Sequence, residues 1–384
     1  MDLNIYRVVM VGRCNPGTWA RKQKTWLQVF SLDEKHFLTK KVRAIEVKIP
    51  KTISQLLVEM GETGFQGRKL AEVVDVFEKM IRDEEVTIIM GYAGSLSTTG
   101  QWKIINWLME QGFIDILVPT GANISEDIVE AMGFNYWQGT HLVDNEKLFK
   151  LGLNRYYDVY GREKDYLEMT ELISDFIKTL DQNHKYSSRE FLYLFGKWLN
   201  KKNIMSIVAV AAKNKIPVFC PAIIDSPYGD AALIAKSEGF NLTIDTVKDY
   251  IEFTSLSEKV RETGVIYIGG GVPKDLIQLF AAASHLLYKN REIPNREGLK
   301  RQGVEGTYYP HKYAIQVTTD SPQWGGLSGC TFEEAISWGK EAPDAAKVQC
   351  YCDATIALPI VAHALAERIR SKRKRTNFSF LFKD

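Results

Sequence analysis

Val265-Ile266-Tyr267-Ile268-Gly269-Gly270-Gly271, continuing into Val272-Pro273-Lys274-Asp275, is the stretch whose reading decides the fold. Four apolar residues are too few for a helix, and the glycines behind them free the backbone, so the segment reads as a buried strand entering a tight turn and then a helix. The same pattern recurs along the chain. Val86 to Met90 runs into Gly91-Tyr92-Ala93-Gly94-Ser95, and Ile114 to Val118 into Pro119-Thr120-Gly121-Ala122-Asn123. Ile216 to Cys220 leads to Pro221-Ala222-Ile223-Ile224-Asp225, Tyr313 to Val317 to Thr318-Thr319-Asp320, and Val348 to Cys352 to Asp353-Ala354-Thr355. Continuous apolar runs suit strands covered on both faces, and helical patterns intervene, so the expected class is α/β: a parallel sheet with helices on both faces. Ligands of such sheets bind outside the carboxyl ends of the strands, which makes the small and polar clusters converge on one crevice.

Outside this frame the chain is ordinary. Its 384 residues carry 49 Lys+Arg and 47 Asp+Glu, with 45% hydrophobic and 25% charged residues. That composition excludes bulk disorder and gives no general nucleic-acid footprint. No apolar run approaches the roughly 20 residues that cross a bilayer, and the first residues lack a secretory signal, so a soluble, cytosolic chain is expected. Five cysteines, Cys14, Cys220, Cys330, Cys350 and Cys352, form no C-x-x-C pair, and the scattered histidines offer no zinc spacing, so no metal is expected. Leu70, Val73, Val74, Phe77 and Ile81 mark one helix, Ser54 to Glu62 an earlier one, and Met169, Leu172, Ile173, Phe176, Ile177 and Leu180 another. Residues 1–40, where Trp19 and Trp26 sit among basic residues without a period, read as an extension, 41–366 as the main domain and 367–384 as a basic tail. The run Lys372-Arg373-Lys374-Arg375 in that tail reads as a solvated face.

Each cluster has a plain reading and a functional one. The triple glycine is a tight turn or an anion site at a helix N-terminus. Glu126 and Asp127 complement a helix dipole or, like Asp225, Asp320 and Asp353 at strand ends, bind sugar hydroxyls. Three such aspartates with two glycine turns favour a nucleotide over a bare phosphate. In Gly325 to Lys340, Thr331 and Glu334 have capping-box spacing, so a helix begins near Phe332. Glu334 and Trp338, four apart, share a helix face, and Gly339 invites a stop that turns Lys340 away from it. Lys340 is then either a solvent-facing lysine or, in a dry pocket, an amine that burial leaves uncharged and nucleophilic. A carboxylate and an indole beside it suit a cationic, methylene-rich ligand.

Ser337-Trp338-Gly339-Lys340, with Glu334 upstream and Tyr351-Cys352-Asp353-Ala354 downstream, resembles the deoxyhypusine synthase family. The likeness extends through Gly64-Phe65-Gln66, Gly91-Tyr92, Pro221-Ala222 with Asp225 and Gly229-Asp230, and Gly269-Gly270-Gly271-Val272 with Lys274. It runs in unbroken order from about Thr52 to Ala366. The resemblance implies a deoxyhypusine synthase-like NAD-binding fold and a homotetrameric, NAD-dependent transferase. Such an enzyme moves a 4-aminobutyl group from spermidine through an imine on the catalytic lysine, here Lys340. The acceptor is a lysine of the translation factor that carries hypusine, or a free diamine as in homospermidine synthase. An amine dehydrogenase, or an NAD-binding protein without group transfer, is the alternative class. By position the resemblance puts NAD on Ser95, Thr98, Thr120, Gly121, Ala122, Glu126, Asp225, Gly269, Gly270, Thr319, Asp320, Asp353 and Ala354. It puts the polyamine on Asp230, Ser328, Glu334 and Trp338, with Asp275 standing where the family has its proton-shuttling histidine. Leu279 replaces an asparagine, and Trp324 and Leu327 replace two acids of the amine pocket, which Asp275 and Asp320 are expected to offset.

Overall fold

Thr52 opens the first helix with a full capping box, its hydroxyl accepting from the Gln55 N–H while the Gln55 side chain accepts from the Thr52 N–H. The computed structural model describes residues 38–288, 293 and 296–382, and the expected extension lies outside them except for its last three positions. From Ile45 onward the chain forms one body.

In order, α1 spans Ile53–Met60 and α2 Phe65–Arg82, which buries the periodic set Leu70, Val73, Val74, Phe77 and Ile81. β1 (Val86–Tyr92), α3 (Trp102–Glu110), β2 (Ile116–Pro119) and α4 (Glu126–Ala131) follow. A small antiparallel sheet over 137–162 precedes α5 (Glu163–Ile177), α6 (Ser188–Lys201) and α7 (Ile207–Lys213). Then come α8 (Pro227–Ser237), α9 (Thr246–Ser255), β3 (Glu262–Ile268) and α10 (Gly271–Ala283). β4 (His311–Thr318), α11 (Phe332–Ser337), β5 (Glu341–Tyr351) and α12 (Ala354–Arg368) complete the frame.

The five strands pair in the order β5-β4-β3-β1-β2, every pair parallel. The run at 216–220, expected as a full strand, makes only one parallel bridge, Val218 to Leu117, beyond β2. Counting that bridge, the sheet reads third, second, first, fourth, fifth, sixth across its width, the order of doubly wound dinucleotide-binding folds. The direction of winding switches between β1 and β3, so the crevice opens where Gly91–Gly94 and Gly269–Gly271 leave the sheet.

Both faces are covered because the strands alternate two apolar sets. Ile88, Met90, Ile266, Ile268, Ile315, Val317, Val348 and Cys350 join the core built with α2, whereas Ile89, Val265, Tyr267 and Ala314 pack with Phe253 of α9 and Leu276, Ile277 and Phe280 of α10.

The basic C-terminal run is not the solvated face expected from its charge. The Arg373 side chain is only 7% exposed and its guanidinium donates to Asp115 at 2.9 Å, while the Thr376 N–H donates to the other Asp115 oxygen at 2.8 Å. Phe378 and Phe382 are buried in the α9–α10 core. A carboxylate at the foot of β2, with 0% of its side chain exposed, demands a counter-charge, and the tail supplies it. Cys350 is buried, Cys352 lies just past the end of β5, and the described cysteines are free thiols.

Candidate functional site at the strand ends

A cavity of about 460 Å³ occupies the crevice at the β1/β3 switch. Of the residues marked in the sequence, Thr120, Asp225, Gly269, Gly270, Thr319, Asp320, Ser328, Asp353 and Ala354 line it, together with Gly94, Pro221, Ala222 and Cys352. The glycines are built for close approach. Gly269 and Gly271 have φ of +73° and +56°, and a Cβ on Gly270 would run into Ser328. The helix N-terminus is less open to an anion than the triple glycine suggests. The Gly271 N–H donates to the Ser328 hydroxyl at 2.9 Å, and Pro273, two residues on, has no N–H at all. What reaches the cavity instead is a set of carboxylates, Asp225, Asp320 and Asp353, chemistry suited to sugar hydroxyls. Asp353 also caps α12, accepting from the Thr355 N–H at 2.7 Å.

Asn123 ties the first two strand ends together, its amide donating to the Tyr92 carbonyl and to the Thr120 hydroxyl, both at 3.0 Å. Five other marked residues support this wall and do not line the cavity. Thr98 is buried and donates to the Ser95 carbonyl at 2.9 Å; the Ser95 hydroxyl donates to Glu126. Gly121 is packed so closely on Ser226 that a Cβ would overlap its hydroxyl, and Ala122 opens the turn that leads to α4. Burial pushes the Glu126 carboxyl up to about 7, against the pull of the Ser95 hydroxyl. Asp230 is exposed on the first turn of α8, also off the cavity lining.

Beneath the cavity, polar side chains form a layer between the sheet and α10–α11. Lys274 is fully buried; its amine donates to the Gln316 side-chain oxygen at 3.0 Å and to the Cys330 carbonyl at 2.8 Å. Gln349 donates to the same two oxygens, at 2.8 and 3.0 Å. Gln316 in turn donates to the carbonyls of Gly269 and Ser328, both at 2.8 Å, so the layer holds the glycine turn and the Ser328 loop in place. Burial lowers the Lys274 ammonium to about 8. Gln316 and Gln349 were not marked in the sequence, although a glutamine inside an apolar strand (Ile315-Gln316-Val317, Val348-Gln349-Cys350) is the signal that finds them.

Helix α11 begins at Phe332, and the Thr331 hydroxyl accepts from the Glu334 N–H at 3.1 Å. Only this half of the capping box forms. The helix ends at Ser337, so Trp338 is its C-cap and not a further turn on the Glu334 face; both side chains are exposed. Gly339, at φ +71°, reverses the chain, and Lys340 enters the protein instead of facing solvent. Lys340 is 9% exposed, with Nζ 3.4 Å from the Gln278 side-chain oxygen and 5.3 Å from the centre of the Trp338 ring. Lys274 and Gln278, four apart on α10, thus reach the two parts of one polar layer. Asp275, half-buried, leaves the same helix on another side, while Trp324 is exposed.

The fold and this site define a doubly wound α/β protein with a ligand cavity at its topological switch and a buried lysine below it. The deoxyhypusine synthase family model matches residues 55–365. A probable deoxyhypusine synthase 2 from Methanosarcina mazei is 44% identical over 88% of this chain and 93% of its own length. One from Archaeoglobus fulgidus is 46% identical over 82% and 98%. A solved Entamoeba histolytica structure named for deoxyhypusine synthase shares the fold with a TM-score of 0.56, 19% identity and coverage of 88% and 100%. The chain belongs to the deoxyhypusine synthase family, which supports aminobutyl transfer in general terms. Among the described residues no helix is long and apolar enough to cross a membrane, and no group of His, Cys, Asp and Glu could hold a metal.

Proposed function

We propose that the protein transfers a 4-aminobutyl group from spermidine, or a related polyamine, through an imine on Lys340 to an acceptor amine. The observation that carries this reading is the Lys340 amine, drawn out of water beside an indole face. NAD fits the crevice: the cavity sits at the switch point, Gly270 admits nothing larger than hydrogen, and three carboxylates line the wall. When bound there, NAD would take a hydride from the donor amine and return it to the product.

The protein's own residues supply the rest. Trp338 offers a ring face to the methylenes and the cationic end of the donor, and Glu334, in the first turn of the preceding helix, offers a carboxylate. The Gln278 side-chain oxygen accepts from the Lys340 amine at 3.4 Å and so limits where the amine can point. Bonding to that carbon is favoured because the amine is held in place and largely dry.

For the acceptor, a lysine of the hypusine-bearing translation factor is the first reading. A free diamine is the second, favoured by the exposed Trp324 and by Leu327, neither of which offers a charge to a polycation. We propose a homotetramer as the working assembly, which sedimentation tests directly. Incubation with labelled spermidine and NAD, followed by borohydride, should add an aminobutyl mass to Lys340. Absence of that mass with every polyamine tried rejects the transfer. The label then separates the acceptors by moving to putrescine or to the translation factor.

A further inference from the structure

Two glutamines inside apolar strands have no part in the transfer just described. Gln316 is 0% exposed, and the parallel register sets it beside Tyr267 of β3 on one side and Gln349 of β5 on the other. All three leave the sheet on the face that α10 covers. The Gln316 amide has no spare capacity. Its oxygen accepts from Lys274 at 3.0 Å and from Gln349 at 2.8 Å, and its nitrogen gives both protons to the carbonyls of Gly269 and Ser328, each at 2.8 Å. Those partners fix which end is oxygen, because the reversed amide would aim nitrogen at two donors and oxygen at two carbonyls. One NH₂ group thus sets the separation of two backbone segments that line the cavity.

Gln349 carries the line further. Its nitrogen also donates to the Cys330 carbonyl at 3.0 Å, and its oxygen accepts from the Phe332 N–H at 3.2 Å. The two glutamines therefore hold Ser328, Cys330 and Phe332, alternate residues of the stretch that leads into α11. That stretch belongs to no strand, so side chains of the sheet satisfy the backbone groups that a ladder would otherwise pair. Beyond Phe332 the placing passes along the backbone. The Ala335 N–H donates to the Thr331 carbonyl at 2.9 Å, and the Lys340 N–H donates to the Ala335 carbonyl at 3.1 Å. The Lys340 carbonyl accepts from the His311 N–H at 3.0 Å. Where α11 sits decides where the Lys340 side chain starts.

We propose that Gln316 and Gln349 are positioning residues for Lys340: together they lock residues 328–332 into a strut that sets α11, and the lysine behind it, at a fixed distance from the glycine turn of the crevice. This rests on the reading of Lys340 as the nucleophile. An amide is what the Gln316 position requires. A carboxylate has no proton for Gly269 or Ser328, and an apolar chain serves none of the four partners. Without the strut the two walls are joined only by the Gly271 N–H on the Ser328 hydroxyl and by Lys274 on the Cys330 carbonyl. A shift of about 1 Å between reacting groups is enough to cost about a hundredfold in rate.

The test has two arms. The first reads the backbone of the protein without ligand, by hydrogen exchange and mass spectrometry. In Gln316→Glu, Gln316→Met and Gln349→Met, amides over 328–335 should exchange at least about tenfold faster, while those of α2 and α3 keep wild-type rates. Gln349 is only partly buried, so Gln349→Met provides the comparison if neither Gln316 variant folds. The second arm reads Lys340 by borohydride trapping with NAD over a range of spermidine concentrations. Glu334 and Trp338 belong to α11 and its cap and move with it, so the half-saturating concentration should stay within about threefold while the maximal trapping rate falls at least about tenfold. Unchanged exchange over 328–335, or a rise shared equally by α2 and α3, overturns the proposal. A higher half-saturating concentration at an unchanged maximal rate overturns it too. Faster exchange confined to 328–335, with no adduct even in wild type, would instead sink the transfer reading and leave the strut standing.

Discussion

Replacing Lys274 by methionine probes the buried layer through its protons. The lysine is fully buried, and burial lowers its ammonium to about 8, compared with about 10.4 in an unfolded chain. Below pH 8 both states carry the proton and the cost of burying it is complete. Between about pH 8 and 10.4 the unfolded chain binds more protons than the folded one, so stability rises with pH. Integrated from pH 7.5 to 9.5, the gain is about 2 kcal/mol for this one group. Methionine fills a similar volume without a charge. It strands no acceptor, because Gln349 already donates to the Gln316 oxygen and the Cys330 carbonyl at 2.8 and 3.0 Å. The measurement is urea unfolding of wild type and Lys274→Met across that pH range, with the other titrating groups cancelling in the difference. Wild type should gain about 2 kcal/mol on the variant as pH rises. Parallel curves would refute a lowered Lys274 and, with it, the picture of a dry layer under the cavity.

Three further outcomes follow from single contacts. Gly270→Ala drives a methyl into Ser328 and breaks the bond to the Gly271 N–H, so overpacking of about 1–3 kcal/mol should weaken the proposed NAD binding by about five- to 150-fold in calorimetry. Arg373→Ala leaves Asp115 buried without its counter-charge and should cost about 3–5 kcal/mol in urea unfolding, far more than removal of a solvated tail residue. Trp338→Ala removes a half-exposed ring face worth about 0.5–1 kcal/mol to a cation, so the spermidine concentration for half-maximal Lys340 trapping should rise a few-fold without loss of the adduct.

Much of the architecture was legible because its signals are local. Apolar runs of strand length ending in Gly, Asp and Thr name five of the strands and their carboxyl ends, and the three- and four-residue spacing of Leu70 to Ile81 names α2. The run at 216–220 looked like its neighbours and became a single bridge, because pairing depends on a partner edge that composition does not describe. Within the site, glycines and aspartates at strand ends were visible as types. Which of them face the cavity was not: Glu126 and Thr98 carry the same chemistry as Asp320 and Thr319 but turn into the wall behind it.

The chain's own order of residues is enough to establish a two-sided parallel sheet, a glycine turn opening α10 and a lysine placed after a helix stop, since each depends on neighbours within a few positions. Tertiary structure alone decided the winding order that puts β1 beside β3, the basic tail clamped on Asp115, and the burial of Lys274, Lys340 and Glu341. Those outcomes depend on desolvation and on charges brought together from residues up to 258 positions apart, and water exclusion is a property of the packed molecule, not of any segment of it.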